Sequence, residues 1–525
     1  MRRATKIMCA VALSLSSVVS FGQMKAELPL FSELNYIGNT GWRSLNPTTL
    51  SDNPVGNMTR IDVGYSLGRG DFHDVDESSK TRALGASVTG YHRFGKVDCF
   101  GLLSYRNGKQ NDRRWNSTMY ISDANPFILA DSICSDFNIE EFDLRAGVSY
   151  TPIRQLSIGL NVRYLTGSSA NQTDPRPKND AMHFVMNPGI AWRIAGRFML
   201  GLSADIDILR ESITHSIINT QESYVYFRFK GMGDCATMST GVSGAYPRDY
   251  KGETYKGAFQ FAARNSSGSV SNFLELYYLS GDEDARDGGS AFTFLGGDYS
   301  RSGYGLSERF SLRGAHLVHN VTLTASYERG NGTWYDQQAK RDPNNNNSLY
   351  YEVLNESLLN RTTDIDASIG YRMDVMKNDK PTLSWFLSGR YISSETLHYE
   401  GDGYMQKYTK AVARLGATEH IDLRKCLLSV SLAGEYAMPL STSMTAMPKL
   451  LNQYTAPTFE YRTASYGAGM LNVSAQFPVN FSGFATWIGV YADARMRYYT
   501  GDSKFSSILE KTKFAEITAG VNLLF

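Results

Sequence analysis

Few side chains in this sequence have the type and spacing that catalysis requires. His215 and Ser216 adjoin, and a histidine beside a serine is the pairing of a general base with a nucleophile. Adjacent side chains of an extended chain point to opposite faces, however, and no acid that would orient the histidine is recognisable nearby. We therefore place the pair in an external loop and predict neither a catalytic residue nor a cofactor, so the protein is not expected to be an enzyme.

Candidate metal ligands are equally sparse. His316 and His319 flank a predicted turn, where turn or interface histidines are far commoner than metal pairs. The acidic run 282–284 with Asp287 offers oxygen ligands for Ca²⁺ but lacks the twelve-residue loop pattern, so a solvated loop tip is favoured. Four cysteines beyond residue 22 show no CxxC or Cys/His spacing, and lone buried thiols are favoured over disulfides: Cys99, Cys134, Cys235 and Cys426. No metal site is predicted.

Charged residues are instead concentrated on one face of alternating segments. Segment 198–208 alternates Phe, Leu, Leu, Ala, Ile and Ile with Met, Gly, Ser, Asp and Asp. A period of two indicates a β-strand with one apolar and one polar face. The same pattern recurs along the chain, at 61–67, 144–150, 156–165, 320–328, 428–436 and 481–500.

The polar face of these segments is predicted to line a water-filled lumen. Charges there avoid the penalty of about 2–4 kcal/mol that a charge facing lipid incurs at the bilayer midplane. Both signs occur, so no ion selectivity is predicted. The lumen-lining candidates are Arg60, Asp62, Arg145, Arg163, Asp205, Asp207, Glu328, Arg390, Arg414, Glu435, Asp493, Arg495 and Arg497.

The last twelve residues, 514–525, make the architecture specific. Every second residue counted back from Phe525 is apolar, and Leu524 is the one exception on the other face. This segment resembles the closing strand of bacterial outer-membrane β-barrels. The resemblance implies that Phe525 is a signal for the barrel-assembly machinery, which would then be a partner of this chain together with outer-membrane lipid.

The first residues predict export. Arg2, Arg3 and Lys6 precede a mostly apolar run, 7–19, and the small residues Ser20 and Gly22 stand at the expected cleavage positions. We expect a signal peptide, 1–22, that is cleaved before Gln23. Cys9 lies too early for a lipoprotein cysteine, so no lipid anchor is expected, and the predicted location is the outer membrane of a Gram-negative cell.

Composition excludes several other classes. Lys and Arg together number 53 against 52 Asp and Glu, so the chain has no basic field for nucleic acid. No stretch beyond residue 23 approaches 18 consecutive apolar residues, which excludes helical membrane spans. The 32 tyrosines and 47 glycines suit a barrel whose alternate residues face water.

Connections of alternating length indicate an antiparallel barrel of about 20 strands (18–22) over 58–525, with both termini periplasmic. Short turns are expected at 94–96, 152–154, 195–197, 231–234, 377–381 and 478–480, and long external loops at 108–137, 167–180, 282–305, 331–360, 439–459 and 501–512. The predicted outer aromatic girdle comprises Tyr65, Tyr105, Tyr164, Tyr327, Tyr391, Tyr436 and Tyr498, with Trp192 and Trp385 near the opposite ends of their strands.

Residues 23–57 precede the first strand and show no clean period. They are either a periplasmic tail or a lumenal segment that plugs the barrel. The run 46–50, Asn-Pro-Thr-Thr-Leu, loosely resembles the Asn-Pro-Ala element of the long-chain fatty acid transporter family, with Thr in place of Ala. With the terminal strand and 20–23, it also makes the chain resemble poorly characterised outer-membrane barrels of Bacteroidota, which implies the compartment and no activity.

Two functions follow from these patterns. The first is a channel or facilitated transporter for a small solute, because about 20 strands enclose a lumen too wide for wall side chains to fill. The alternative is a non-transport accessory or docking subunit of an outer-membrane complex, which binds an envelope protein through its external loops. A TonB-dependent receptor is disfavoured because no plug domain of sufficient length precedes the first strand.

Overall fold

The computed structural model describes residues 28–39, 41, 43–219, 221–240, 245–288, 292–481 and 484–525. The predicted signal peptide lies outside these residues. Eighteen strands form the wall of a barrel: β1 (Met58–Gly70), β2 (Lys80–Phe94), β3 (Val97–Arg113), β5 (Ser135–Ile153), β6 (Leu156–Ala170), β7 (Pro177–Ile194), β8 (Phe198–Ser216), β11 (Ala245–Arg264), β12 (Val270–Asp287), β13 (Phe294–Arg313), β14 (Leu317–Asp342), β15 (Ser348–Lys377), β16 (Lys380–His398), β17 (Tyr404–Asp422), β18 (Leu427–Thr445), β19 (Tyr466–Phe481), β20 (Phe484–Tyr499) and β21 (Lys513–Leu524).

The wall is closed. Each strand pairs antiparallel with its neighbours in this series, and β21 pairs with β1 to complete the ring. At the seam, the Phe525 N–H donates to the Thr59 carbonyl at 3.0 Å, and the Thr59 N–H donates back at 2.7 Å. The predicted transmembrane antiparallel β-barrel is confirmed, with 18 strands at the lower end of the predicted range.

Alternation in the sequence becomes two chemically different faces. Along β8, Phe198, Leu200 and Leu202 are exposed on the outside, whereas Met199 and Ser203 are buried on the inside. A face of exposed apolar side chains is stable only against lipid, and the opposite face is free to carry charge.

Aromatic side chains ring the outer face at two levels. In the upper ring, Tyr278, Tyr304 and Tyr327 stand opposite one another on β12, β13 and β14, and the last two stack with ring centroids 5.2 Å apart. Trp192 and Trp385 are exposed near the other ends of their strands. Among the tyrosines predicted for this girdle, the exposed ones are Tyr65, Tyr164, Tyr391, Tyr436 and Tyr498. Such rings suit the two headgroup levels of a bilayer.

Connections differ in length at the two ends of the barrel. At one end, here called the short-turn end, they are 95–96, 154–155, 195–197, 265–269, 314–316, 378–379, 423–426 and 482–483. At the other, the loop end, they include 71–79, 114–134, 217–244, 446–465 and 500–512. The first strand begins and the last strand ends at the short-turn end.

Several predicted loops are wrong because the wall extends beyond the membrane. Most of 167–180, 282–305 and 331–360 is strand, and β14 and β15 reach 26 and 30 residues around the turn 343–347. Above the bilayer a strand needs no apolar face, so the backbone ladder continues after the alternation fades. The predicted wall turn 231–234 is also wrong, since it belongs to an inner hairpin, and the turn predicted at 478–480 lies within β19.

A few elements lie apart from the wall. The helix α1 (Phe31–Gly38) and a 3₁₀ turn (Pro47–Asp52) precede β1, and the helix α2 (Ala456–Thr463) lies within 446–465. The strands β4 (Leu129–Ala130), β9 (Tyr224–Gly231) and β10 (Asp234–Thr240) form a separate three-stranded sheet. No described helix has the length and apolar character that crossing a bilayer requires.

Candidate functional site

The structure places all the predicted lumen residues on the inner face. In β1, Val63 and Tyr65 are exposed outside, so Arg60 and Asp62 point inward. In β20, Val490 and Met496 are exposed outside, so Asp493, Arg495 and Arg497 point inward by the same alternation.

Most of these charges are matched locally around the wall. The Arg60–Asp62 pair closes at 2.7 Å and the Arg301–Glu328 pair at 3.4 Å. The other ion pairs are Arg145 and Arg163 with Asp143, Asp207 with His183, Arg390 with Asp366, and Arg495 with Glu435. Two predicted residues form hydrogen bonds, Asp493 with Asn472 and Arg497 with the Tyr461 hydroxyl. Arg414 lies over the Phe386 ring, and Asp205 stands opposite Lys256 on the neighbouring strand. The predicted residues are therefore distributed around the lumen and do not form a single binding site.

The N-terminal segment, residues 28–57, lies against the inner wall at the short-turn end. Its Asn46 and Pro47 enter a socket made by three wall glycines, Gly159, Gly189 and Gly201. A Cβ on Gly189 would lie 2.4 Å from Asn46 Oδ1 and 2.6 Å from Pro47 Cδ, and a Cβ on Gly159 would lie 3.1 Å from Pro47 Cβ. A Cβ at Gly189 or Gly201 would therefore displace the side chains packed there, and one at Gly159 would be tight against Pro47.

Asn46 holds the segment in this socket. Its side-chain amide donates to the wall carbonyls of Ile190 and Leu202, at 3.0 and 3.2 Å, and to Gln260 Oε1 at 2.9 Å. Pro188 on β7 has no N–H, and the ladder between β7 and β8 is interrupted beside it, which helps to leave wall carbonyls free for Asn46. The other Asn46 atom, Oδ1, caps the 3₁₀ turn that begins at Pro47.

Two wall arginines contact the helix α1. The guanidinium of Arg309 lies 4.0 Å from the Tyr36 ring centre and that of Arg372 lies 4.7 Å from it. Arg309 also donates to the Asn39 carbonyl at 3.3 Å, and Arg372 pairs with Glu33. The Arg309–Asn39 bond is buried and the Arg372–Glu33 pair is part-buried.

Further wall side chains hold the segment around the 3₁₀ turn. Arg93 donates to the Ser51 carbonyl at 2.9 Å, and Arg193 pairs with Asp52 at 2.9 Å. Glu275 accepts a backbone N–H of the segment at 2.9 Å. An apolar cluster at the base of the barrel also explains the inward Leu524, and it contains Leu28, Phe31, Val55, Met58, Trp487 and Leu524.

The loop end is filled by a different structure, here called the cap. It consists of the described residues of 114–134, 217–240 and 446–465. Wall carboxylates hold its backbone from below: Glu211 accepts from the N–H groups of Met119 and Tyr120 at 2.8 Å, and Glu283 accepts from Ser122 at 3.1 Å. Charge-assisted bonds of this kind fix a loop in one position.

A fully buried ion pair joins the cap to the wall. Arg248 pairs with Asp287, both side chains are completely buried, and Arg248 also donates to the Phe127 carbonyl at 3.2 Å. Arg228 of β9 approaches the same carboxylate at 3.2 Å. The acidic run 282–287 is thus part of a strand with two of its carboxylates buried inward, and the predicted solvated loop tip is wrong.

The histidines also differ from prediction. His215 is on β8 and not in a loop, is fully buried, and meets the Tyr226 ring edge-on at 5.0 Å. His319 is on β14, where its ring nitrogen shares a hydrogen bond with the Tyr371 hydroxyl at 2.8 Å.

Of the four predicted buried thiols, only that of Cys235 is buried; all four are free.

Burial changes the acidity of two cap-region carboxyls. Burial raises the pKa of Asp131 to about 6, although its Oδ1 accepts the Ile133 N–H at 2.8 Å. The pKa of Asp74, in the connection 71–79, is also raised, first by burial and then by the neighbouring Asp76. In both groups, burial shifts the protonation equilibrium toward the neutral form relative to an exposed carboxyl.

Two polar cavities lie on either side of the cap segment 120–124. The upper cavity has a volume of about 870 Å³ and the lower one of about 430 Å³. Both are lined by 120–124 and by Asp364, so they adjoin. The lower cavity carries more carboxylates than cations, since Arg301 and His183 face Asp123, Asp207, Glu283, Glu328, Asp364 and Asp366.

Sequence reasoning missed several functional residues of the wall. Asp143 and Asp366 share the inward parity of the predicted residues, and extending the alternation would have found them. Glu211 and Glu283 share this parity too, but their role could not be predicted, because their partners come from loops whose course the sequence does not reveal.

Comparison with known proteins gives a family without an assigned activity. A model of the family of unknown function DUF6850 matches residues 47–525. No curated protein matches the chain.

Solved structures share the barrel architecture at low similarity. The RagAB peptide importer in its closed-closed state is 7% identical, with a TM-score of 0.41 over 90% of this chain and 87% of that one. The outer-membrane transporter YddB of Escherichia coli is 10% identical, with a TM-score of 0.40 over 90% and 81%. BauA, the ferric preacinetobactin receptor of Acinetobacter baumannii, is 9% identical, with a TM-score of 0.38 over 89% and 80%.

Proposed function

We propose that this chain, which belongs to the family of unknown function DUF6850, is an outer-membrane channel or facilitated transporter for a small polar solute. The observation that carries the proposal is the pair of adjoining polar cavities above a lumen that the N-terminal segment closes at the short-turn end. Residues 1–22 are assigned as the signal peptide, and the short-turn end as periplasmic because barrels of this class have short periplasmic turns.

The chemistry of the path supports a polar cargo. Its wall carries ion pairs and amides, and the excess of carboxylates in the lower cavity favours a solute with a cationic group or several hydroxyls. A solute that descends past 120–124 reaches the N-terminal segment next. We therefore assign 28–57 as the gate.

Single-channel conductance in planar bilayers tests the proposal. Wild type is expected to conduct rarely, and removal of 24–57 to enlarge the conductance because the short-turn mouth is then open. Replacing Arg495 and Arg497 together by Ser is expected to change conductance or ion preference without loss of folding, since lumen substitutions tune selectivity. A heat-modifiability shift on electrophoresis controls for folding of each variant.

The alternative is an accessory or docking subunit, and one feature favours it. Residues 348–358 of β15 pair with β14 on one side only, and no described strand pairs with their other edge, where Val353 and Leu354 are exposed. If wild type, truncation and double mutant are all folded and none conducts, the docking role replaces transport.

A further inference from the structure

Three potential metal ligands meet where the cap contacts the wall. Asp234 begins β10, His398 ends β16, and Glu400 follows in the connection 399–403. One ligand atom from each lies within 4.8 Å of the other two. Folding, and not sequence spacing, brings them together.

The imidazole of His398 is oriented for ligation. Its Nδ1 lies 2.8 Å from Asn360 Oδ1. The amide nitrogen of Asn360 donates to the Lys230 carbonyl, so its oxygen faces the imidazole and Nδ1 carries the proton. Nε2 is therefore the ring nitrogen that faces Asp234, and a hydrogen bond on the far nitrogen is how proteins orient a ligating histidine.

Two buried atoms at the centre of this cluster have no hydrogen bond. His398 is completely buried and Asp234 is nearly so. His398 Nε2 and Asp234 Oδ2 are 3.4 Å apart, and neither has a hydrogen-bond partner among the residues that the structure describes, although Lys230 Nζ forms an ion pair with Asp234 Oδ2 at 3.4 Å. Buried polar atoms are rarely left unsatisfied, and one cation held by both would satisfy them.

The turn that carries Asp234 is built for close packing. Gly231, Met232 and Gly233 all have positive φ, of 112°, 51° and 80°. A Cβ on Gly231 would lie 2.2 Å from Asn360 Oδ1, and one on Gly233 would lie 2.1 Å from Thr455 Oγ1. The backbone is thus seated directly against the residue that orients His398.

We propose that Asp234, His398 and Glu400 bind one first-row divalent transition-metal ion, for which Zn²⁺ is the reference. An imidazole nitrogen with carboxylate oxygens suits such ions, whereas Ca²⁺ and Mg²⁺ prefer oxygen ligands alone. Glu400 is 49% exposed, which gives an ion a route from solvent. The ion ties the cap to the wall, and this role does not depend on solute transport.

Lys230 is the competitor for the same position. Its Nζ lies 3.4 Å from Asp234 Oδ2 and 4.0 Å from Glu400 Oε2, and 5.1 Å from the Trp334 ring centre. The ammonium neutralises the carboxylates when no ion is bound and withdraws along the Trp334 face when one enters. Removing this charge by Lys230→Met is expected to tighten metal binding.

Titration calorimetry of the chelator-treated full chain in detergent, with ZnCl₂ alone, tests the site. His398→Gln and Asp234→Asn are each expected to weaken the Kd at least about tenfold, since even substitutions one shell out cost about 10–100-fold. His319→Gln, which alters a histidine paired with Tyr371, is expected to leave the Kd unchanged. A folded His398→Gln variant with the wild-type Kd would overturn the proposal.

Two measurements on unmodified ligand residues keep the test decisive if those variants fail to fold. Pulsed electron paramagnetic resonance of wild type with one equivalent of Cu²⁺ is expected to show coupling to a single imidazole. The Lys230→Met variant is expected to bind Zn²⁺ more tightly than wild type. Absence of nitrogen coupling, or CaCl₂ binding as tight as ZnCl₂ binding, contradicts the site.

Discussion

The two mouths of the barrel are closed in different ways. At the short-turn end, the described residues of one segment, 28–57, are held by polar contacts, by Asn46 and Pro47 in the glycine socket, and by the apolar cluster with Leu28, Phe31 and Val55. At the loop end, several connections interlock around the completely buried Phe127, Leu129 and Ala130 and the buried Arg248–Asp287 pair.

This difference indicates that the N-terminal segment is the mobile closure and the cap the rigid one. Releasing the part of the segment around Asn46 and Pro47 exchanges hydrogen bonds with the wall for hydrogen bonds with water, and each such exchange costs only about 0.5–1.5 kcal/mol. The apolar cluster with Leu28, Phe31 and Val55 holds the beginning and end of the segment at the base of the barrel. Releasing the cap exposes buried apolar side chains and disrupts the contacts of a buried ion pair, and hydration of the exposed groups does not compensate for this loss of free energy. We therefore expect the short-turn mouth to open while the cap keeps its shape.

The largest expected effect is in the cap. Asp287→Asn leaves the buried Arg248 without its counter-charge and is expected to destabilise the cap by about 3–5 kcal/mol. Limited proteolysis of 114–134 in intact, detergent-folded protein measures this loss. Protection equal to wild type would mean that the cap does not depend on the pair.

The second effect is in the segment. Gly189→Ala places a Cβ against Asn46 and Pro47 and is expected to weaken docking of 28–57 by about 1–3 kcal/mol, the usual cost of overpacking. The open fraction in single-channel records is expected to rise, with the cap still resistant to protease. Gly85→Ala is the matched control, because an added Cβ there meets nothing closer than 3.9 Å.

These two regions also show where sequence reasoning succeeds and where it stops. The period of two predicts the strands, the inward charges such as Arg60 and Arg495, and the barrel itself. It does so because every strand of the wall has lipid on one side and water on the other. Closure of the mouths depends on tertiary contacts between distant residues, such as Asn46 with Gln260 and Glu211 with Tyr120. No local pattern encodes those pairings.

A third effect concerns pH and the cap. The folded-state pKa of Asp131, about 6, exceeds the ordinary carboxyl value of about 3.9. Its stabilising contribution is fully present below the unfolded-state pKa and is lost as pH rises through the folded-state pKa. Proteolysis of 114–134 is expected to accelerate between pH 4 and 6, roughly that interval, and Asp131→Asn to remove this dependence. An equally steep profile in the variant would assign the effect elsewhere.

The smallest effect is on the open wall of the lumen. Asp366→Asn breaks the pair with Arg390, whose side chain is 54% exposed. A solvent-screened pair contributes about 0–1 kcal/mol, so the urea midpoint is expected to stay near that of wild type. A loss as large as that of Asp287→Asn would erase the distinction between lumen wall and cap.

The most direct test of the gate is to lock it. Pro47→Cys with Gly159→Cys, in a background with Cys99, Cys134, Cys235 and Cys426 replaced by Ser, puts two Cβ atoms about 3.1 Å apart, and a shift of a few tenths of an ångström brings them to the roughly 3.5–4.5 Å of a disulfide. Oxidised protein is expected to show no channel openings in planar bilayers, and dithiothreitol is expected to restore them to the level of the single variants. Equal conductance of the verified crosslinked and reduced forms would contradict the gate.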